Sequence, residues 1–532
     1  MMMDNKMIKE YLPPVAVVDS KDATNTEILL SGDYLHACFN DGVTLCEVKE
    51  GGYIMLDFGK EIVGTVRIIA DLPCTIRLRT GESYAETVSD LGYKGSVNAH
   101  APRDASGIII PAWSDTENFN TAFRYVRIDV TKGTFKAKRV VAGYIHTTIP
   151  RTGFFTCADE KVNRIFETAA HTVTLCLQNG VIWDGVKRDR LAWLGDMYAE
   201  VLSLTNLYSD YDNIKNMLDV MRELTPLPKW MNGIPTYSLW WMLTLCEYIR
   251  RSGDKEIYAR SRDYLLALLE TFDRYTEESG YLGTKRCGSM GIFLDWPTKN
   301  TPDEIFGATA LLKLAVTASK ELLKVNGEQS EHAESILKKL ERVDKMPQKE
   351  KPAVAMCAYA GLPSDVSKLL DGGAKGVSTF MSWVILMVMH DSGYKKEASE
   401  IARKYYGAML DLGATTFWED FDIDWFEGAG PITRMPKKGE VDVHGDYGKY
   451  CYQGYRHSFC HGWSSGVIEY LISRVLGVKR VGGDANKVEV SPYPCYGDMK
   501  GIVPVGKGFV TVEVIGGKVS VSATDGIEVI VK

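Results

Sequence analysis

Two hydrophobic periods divide the chain. Up to about residue 149 apolar positions alternate with polar ones or run for strand lengths, as in Tyr53-Ile-Met-Leu-Asp-Phe, Thr65-Val-Arg-Ile-Ile, Thr75-Ile-Arg-Leu-Arg and Ala122-Phe-Arg-Tyr-Val-Arg-Ile-Asp-Val, with Gly, Pro, Asp and Asn as punctuation. This predicts a β-sandwich over 1–149. From Phe154 the period becomes helical: Val162, Ile165, Phe166, Ala169 and Val173 share one face. Comparable stretches recur near Tyr211 to Leu224, Trp240 to Arg251, Ile257 to Phe272, Pro302 to Leu323, Ala333 to Val343, Ser378 to Met389, Lys396 to Leu410 and Trp463 to Leu476. After Gly477 the strands return, and Val512-Glu-Val-Ile-Gly-Gly-Lys-Val-Ser-Val reads as a hairpin turning at Gly516-Gly517. A helical domain over 150–477 and a small C-terminal β-sandwich over 478–532 are expected.

A length of 532 residues exceeds what one core serves and agrees with several domains. A net charge of −7 and the lack of a basic cluster argue against nucleic acid as a partner. No run approaches the roughly 20 uncharged residues of a membrane span, and the first ten residues carry no apolar leader core, so neither a membrane nor export by the general route is expected. The eleven Cys include no CxxC pair and stand singly in apolar segments, as at Cys38, Cys176, Cys246 and Cys357. They read as reduced, buried thiols of a cytoplasmic protein, not a disulfide framework or a zinc site. The sequence leaves a homo-oligomer open.

One stretch is too charged for a core. Asp184-Gly-Val-Lys-Arg-Asp189-Arg-Leu-Ala-Trp193-Leu-Gly-Asp196 packs three carboxylates, three cations, a Trp and two Gly into thirteen residues. A solvated loop is one reading of such a run. Trp183, Leu191, Trp193 and Leu194 favour another, in which the acids line a pocket with aromatic walls, as in a sugar site.

The stretch resembles the signature of the bacterial α-L-rhamnosidases of the six-hairpin glycosidase class, Asp-Cys-Pro-Gln-Arg-Glu-(Lys/Arg)-Leu-Gly-Trp-x-Gly-Asp, and aligns with it without a gap. The resemblance puts the sugar-holding acid on Asp184, the general acid on Asp189, the last acid on Asp196, and the Arg and Trp of the signature on Arg188 and Trp193. Gly185, Val186 and Lys187 depart from it, and Asp189 has a stem one carbon shorter than Glu, about 1.5 Å less reach. Upstream, Leu56-Asp-Phe-Gly59 to Gly64 and Phe123-Arg-Tyr-Val126 resemble the family's accessory sandwich. Downstream, Gly413-Ala-Thr-Thr-Phe-Trp-Glu419 resembles the element that carries the general base, which falls on Glu419 with Trp418 beside it.

Further positions follow from the same resemblance. Asp295-Trp296, with Leu294 in place of a Gly, is similar to a Gly-Asp-Trp element of the pocket wall. His461, with His457 near it, falls where the family places a His close to the sugar. Asp420, Asp422 and Asp424 alternate as cation ligands can, but lack the Gly-turn and closing Glu of a calcium loop, so no metal is expected.

The resemblance implies a multidomain protein, an (α/α)6 barrel flanked by N-terminal and C-terminal β-sandwich domains. It implies an exo-acting, inverting glycoside hydrolase that releases terminal α-L-rhamnose from small oligosaccharides or glycosides. Asp189 would protonate the leaving oxygen and Glu419 would activate water. Asp184, Arg188, Asp196 and His461 would hold hydroxyls, and Trp183, Trp193, Trp296 and Trp418 with Asp295 would wall the pocket. No cofactor is called for. Two rivals are a six-hairpin hydrolase for another terminal sugar and a non-catalytic carbohydrate-binding homologue.

Overall fold

A computed structural model describes residues 6–32, 43–283, 291–450 and 452–532; Cys38 lies outside the described residues. The segment read as β forms strands β1 (Met7–Leu12), β2 (Ala16–Thr24), β3 (Cys46–Ala70), β4 (Cys74–Gly81), β5 (Asp104–Ile110), β6 (Ser114–Gly133) and β7 (Phe135–Thr147). They join in one hydrogen-bonded sheet, ordered β1-β7-β3-β6-β4-β5 with β2 also on β3. β3 and β6 are long enough to run through both halves of the segment, so hydrogen bonding links all seven strands. Up to Asp57, β3 is flanked by β2; from Gly64 it is flanked by β7, and its register with β6 breaks between Asp57 and Ile62. A short helix, α1 (Tyr84–Val88), follows β4 and is capped by Ser83, whose side chain accepts from the Glu86 amide.

After β8 (Phe154–Cys157) come α2 (Glu160–Leu175), the two-residue strands β9 (Leu177–Gln178) and β10 (Val181–Ile182), α3 (Leu194–Leu207), α4 (Asp212–Leu224), α5 (Pro235–Ser252) and α6 (Lys255–Tyr275). Then follow α7 (Glu304–Val325), α8 (Glu331–Leu340), α9 (Lys351–Tyr359), α10 (Ser382–Asp391), α11 (Lys395–Asp411), the two-residue parallel pair β11 (Ala429–Gly430) and β12 (Val441–Asp442), and α12 (Val467–Tyr470). The last helix is extended by a 3-10 turn before it, Gly462–Gly466, and a π turn after it, Leu471–Val475.

Burial sorts these helices. Every residue of α3 is buried and nearly all of α5 and α10, whereas α4, α6, α8 and α11 bury one face. A helix apolar all round belongs inside and an amphipathic one outside. The packing agrees: α3 lies on α5, α5 on α7, α7 on α9, α9 on α10, α10 on α12, and α12 returns to α3. Outside this ring α4 packs on α6, α6 on α8, and α11 on α2. The 3-10 turn Val366–Leu370 packs against α9 and α10, where the expected (α/α)6 barrel would have a sixth outer helix. Periodicity overlooks α9 because it is buried almost all round and shows no polar stripe.

Strands β13 (Val478–Arg480), β14 (Lys487–Val490), β15 (Met499–Val505), β16 (Gly508–Ile515), β17 (Lys518–Ala523) and β18 (Glu528–Val531) form two sheets, β13-β14-β18 and β17-β16-β15-β8. The hairpin at Gly516-Gly517 is present, with φ of 56° and 79°, the left-handed pair that a tight two-residue turn requires. The second sheet also draws in β8, from the segment expected to belong with the helices: Phe154 to Cys157 pair with Ile502 to Met499. The eight described cysteines are all free thiols, and no helix among the described residues is long and apolar enough to cross a membrane.

The N-terminal sheet is tied to the loops at one end of the helical ring. Asp57 binds Arg124 through two contacts of 2.9 Å, Arg124 donates to the Gly413 carbonyl at 3.1 Å, and the Glu61 amide donates to Thr415 Oγ1 at 3.0 Å. Lys187 reaches back into the sheet. Its Nζ lies 2.7 Å from Glu86 Oε1 and 3.3 Å from Glu82 Oε2, and donates to the carbonyls of Tyr455 at 2.6 Å and His457 at 3.0 Å. Glu82 and Glu86 are buried, so the ammonium is their counter-charge. Burial pushes Glu82 up to about 7, against the pull of Lys187. Removing one partner of a buried ion cluster strands the others. Lys187→Met is expected to lower stability by about 3 kcal/mol or more in urea unfolding; a loss below about 0.5 kcal/mol, typical of a surface change, would show that the acids do not depend on it.

Candidate active site

The charged stretch is a loop closed on its own first acid. The Asp184 amide donates to the Leu191 carbonyl at 2.9 Å, while its carboxylate accepts from the amides of Leu191 at 2.9 Å and Asp189 at 3.0 Å. Asp184 is thus a staple of the loop, with both oxygens engaged by backbone N–H groups. Burial pushes it up to about 6, with His461 opposing and Asp196 adding to the shift. The closure sends three successive side chains different ways: Lys187 into the sheet, Arg188 across the site, and Asp189 outward, with its side chain 22% exposed.

Glu419 arrives from the other side. Its amide donates to the Ser458 carbonyl at 3.0 Å, and its carbonyl accepts from Thr379 Oγ1 at 2.7 Å and Trp463 Nε1 at 3.0 Å, which fixes the backbone. The carboxylate is 2% exposed, and Oε2 accepts from Arg188 Nη2 at 2.6 Å and from the Ser458 amide at 3.3 Å. Arg188 Nη1 contacts Asp189 Oδ1 at 3.1 Å, Nε donates to the Arg456 carbonyl at 2.7 Å, and the guanidinium lies over the Tyr452 ring at 4.9 Å. Two carboxylates held by two ends of one guanidinium are no more than about 8 Å apart at those oxygens, given C–N bonds of about 1.33 Å. Burial raises Glu419 to about 7, while Arg188 and His461 pull it down. It therefore changes charge near neutral pH.

Beneath this pair His461 bridges two acids. Its Nε2 lies 2.9 Å from Asp196 Oδ2 and its Nδ1 lies 3.7 Å from Glu419 Oε1. Burial pushes Asp196 well up and His461 down. A Cβ on Gly185 would lie 2.7 Å from His461 Nδ1, which accounts for the missing side chain there. One turn along α3, Glu200 is wholly buried with no partner for either oxygen among the described residues, and burial raises it well above the carboxylate range.

The aromatic residues divide. Trp296 stacks on Tyr450, with centroids 5.2 Å apart, and donates to the Tyr452 hydroxyl, so it joins the wall that carries Arg188. Trp183 lies under the Arg190 guanidinium at 4.3 Å, and Trp193 meets Tyr237 edge-on at 5.9 Å. Trp418 is not on the wall: it is 1% exposed and stacks on Phe459 at 4.1 Å, behind Glu419. Asp295 caps the turn that carries Trp296 and accepts from Ser378; burial pushes it up to about 7. His457 is wholly buried and its Nε2 accepts from the Asp420 amide. Asp422 pairs with Lys449 and Asp424 with Lys375, which occupies two of the three alternating acids.

Glu82, Glu86 and His444 bring three ligand atoms together in a set suited to a divalent cation. The Lys187 ammonium stands among them, 3.4 Å from His444 Nε2, and supplies the positive charge. Sequence reasoning missed Glu82, Glu86 and Tyr452, and also His100, whose Nε2 lies 3.3 Å from Asp189 Oδ1. None lies in a charged or aromatic run beside the two motifs, so only the fold reveals them.

Residues 150–350 match the model of the bacterial alpha-L-rhamnosidase six-hairpin glycosidase domain. Among solved structures, the chain is similar to a GH78 family rhamnosidase of Bacillus sp. GL1, at a TM-score of 0.73 and 20% identity over 95% of this chain and 55% of that one. It is similar to a rhamnosidase from Klebsiella oxytoca, at 0.67 and 18% over 88% and 96%, and to a Streptomyces avermitilis α-L-rhamnosidase, at 0.67 and 15% over 98% and 50%. The chain thus spans little more than half the length of the first of these. At such identities the likeness is one of fold. No curated protein matches the chain by sequence.

Proposed function

We propose that this protein is a glycoside hydrolase that removes terminal α-L-rhamnose from small oligosaccharides or glycosides, acting from the chain end and with inversion. The observation that carries the reading is the Arg188 guanidinium, bound to Glu419 at one end and Asp189 at the other. It bounds the two contacted oxygens at about 8 Å apart, which admits the roughly 6.5–9.5 Å of an inverting pair as well as the roughly 5–5.5 Å of a retaining one. The K. oxytoca structure has rhamnose bound and that of S. avermitilis is a complex with L-rhamnose, which supports this sugar.

In this mechanism Asp189, the outward-facing acid, gives its proton to the glycosidic oxygen as the bond to the anomeric carbon breaks. Glu419, ionised, takes a proton from water as that water attacks the opposite face. Arg188 holds the charge on Glu419 until the proton is taken. Arg188, Asp196 and His461 offer polar contacts to ring hydroxyls, and Trp183, Trp193 and Trp296 offer surface to the apolar face and the 6-deoxy methyl. The chemistry needs these side chains and water. The free thiols of the described residues support a reducing, cytoplasmic setting.

The first test is a panel of 4-nitrophenyl glycosides with the purified protein. The α-L-rhamnoside is expected to be cleaved best, and its first product, read by NMR, to have the inverted anomeric configuration. Preference for another sugar would transfer the same acids to another six-hairpin activity, and retention would remove Glu419 as base.

Asp189→Asn is expected to cut turnover of alkyl rhamnosides by roughly 10²-fold or more while sparing activated aryl substrates, whose leaving oxygen needs little protonation. Glu419→Gln is expected to impair both. A loss within about threefold for Asp189→Asn on an alkyl rhamnoside would assign the donor to another group.

The base has to be ionised, so kcat/KM should fall as pH drops through about 7. Stability runs the other way. A carboxyl raised in the fold above its unfolded value of about 4.3 stabilises fully below that value, and this stabilisation is lost as pH rises through about 7. Glu419→Gln removes the contribution, and its Tm should fall less than the parent's between pH 5 and 8. An equal fall in both proteins would show that Glu419 is not raised.

A further inference from the structure

At Oδ1 the carboxyl of Asp189 accepts a hydrogen bond from Arg188 Nη1 at 3.1 Å and lies within ion-pair reach of His100 Nε2, at 3.3 Å. Arg188 is committed elsewhere, to Glu419 and to the Arg456 carbonyl. His100 meets the acid from outside the loop, and it lies on the connection between α1 and β5 of the N-terminal segment. Its segment is firmly held. Arg103 donates to Ser96 Oγ, Asn98 Oδ1 accepts from the amides of Arg103 and Asp104 at 2.9 and 3.1 Å, and Asn98 Nδ2 donates to the Asp104 carbonyl at 2.9 Å. His100 itself has φ of 63°, a left-handed conformation uncommon for a residue with a side chain. Neither Asp189 Oδ2 nor His100 Nδ1 carries a hydrogen bond among the described residues, and both side chains are partly exposed, at 22% and 34%.

We infer that His100 is a positioning residue for the acid: it holds Oδ1 of Asp189 from the side away from the loop, so that Oδ2 is turned to the glycosidic oxygen. The inference rests on the glycosidase reading above and deepens it. Asp189 is short, and its own loop fixes its backbone through Asp184 without fixing its carboxyl. Arg188 alone would draw the carboxyl toward Glu419, away from a leaving group. A second contact from the sheet opposes that pull and leaves one oxygen free. A small displacement of a catalytic group can cost as much as two orders of magnitude, so a contact worth little to stability can matter greatly to protonation.

The test compares His100→Ala and His100→Gln on an alkyl and a 4-nitrophenyl glycoside of the same sugar. His100→Ala should lower kcat on the alkyl substrate by roughly 10- to 100-fold with KM little changed, and on the aryl substrate by less than about twofold. His100→Gln, which keeps an N–H donor on a side chain of similar length, should recover most of the loss. Equal losses on both substrates, no loss on either, or no recovery with Gln would overturn the inference. If the parent protein cleaves no glycoside in the panel, it is the functional reading that has failed, and the contact is decided separately. With isotope-labelled histidine, the ring signals of His100 should shift in Asp189→Asn and stay in place in the distant control Asp391→Asn. Unchanged signals in Asp189→Asn would remove the His100 contact whatever the activity.

Discussion

Buried carboxylates must be neutralised, and much of the structure around the site answers that requirement. Asp184, Asp196, Glu200, Asp295, Glu419, Glu82 and Glu86 are all buried near one end of the helical ring, and two cations, Lys187 and Arg188, reach into them from one loop. An isolated charge in such surroundings is prohibitive unless it is paired or loses its charge. Three solutions appear. Glu82, Glu86 and Glu419 take a cation, Asp184 takes backbone N–H groups, and Asp196 and Glu200 are held toward their protonated forms. The loop delivers the cations at adjacent positions because closure on Asp184 turns Lys187 and Arg188 in different directions.

Much of the fold was legible where local chemistry decides it. The face of α2 named by Val162, Ile165, Phe166, Ala169 and Val173 is buried as its spacing implies, and Gly516-Gly517 makes the turn that only such a pair makes easily. Where burial is complete the pattern disappears, which is why α9 escaped notice. The site divides the same way. The two motifs announced Asp184, Arg188, Asp189, Asp196 and Glu419, and the fold brings them together. Trp418 looked like pocket wall beside Glu419, yet a residue next to a functional one points elsewhere when the backbone is extended, and here it points into the core. His100, Glu82 and Glu86 gave no sign because their importance lies in what they touch far along the chain.

The N-terminal sheet is therefore more than an appendage to the helices. It holds the Gly413 to Thr415 approach to Glu419 through Arg124 and Glu61, anchors Lys187 with two acids, and reaches Asp189 with His100. Both acids of the proposed reaction depend on contacts that cross from sheet to helical segment. The departures of the loop from the family signature bear on the same contacts: Lys187 is the ammonium that the sheet requires, and Gly185 leaves room for His461.

The pairing of β8 with β15 has a different consequence. The strand that precedes the first helix of the ring finds its neighbour only after the last helix has been made, so the two ends of the helical segment are fastened by one sheet. Such long-range pairing comes late and slowly in folding, because the intervening chain must first be brought into place. During synthesis β8 leaves the ribosome long before β15, with an edge of unpaired N–H and C=O groups that can accept a strand from another chain. The sheet that joins the two ends of the helical segment can be completed only once the C-terminal strands have been made. Order of emergence, and not only packing, thus becomes part of how this chain secures its site.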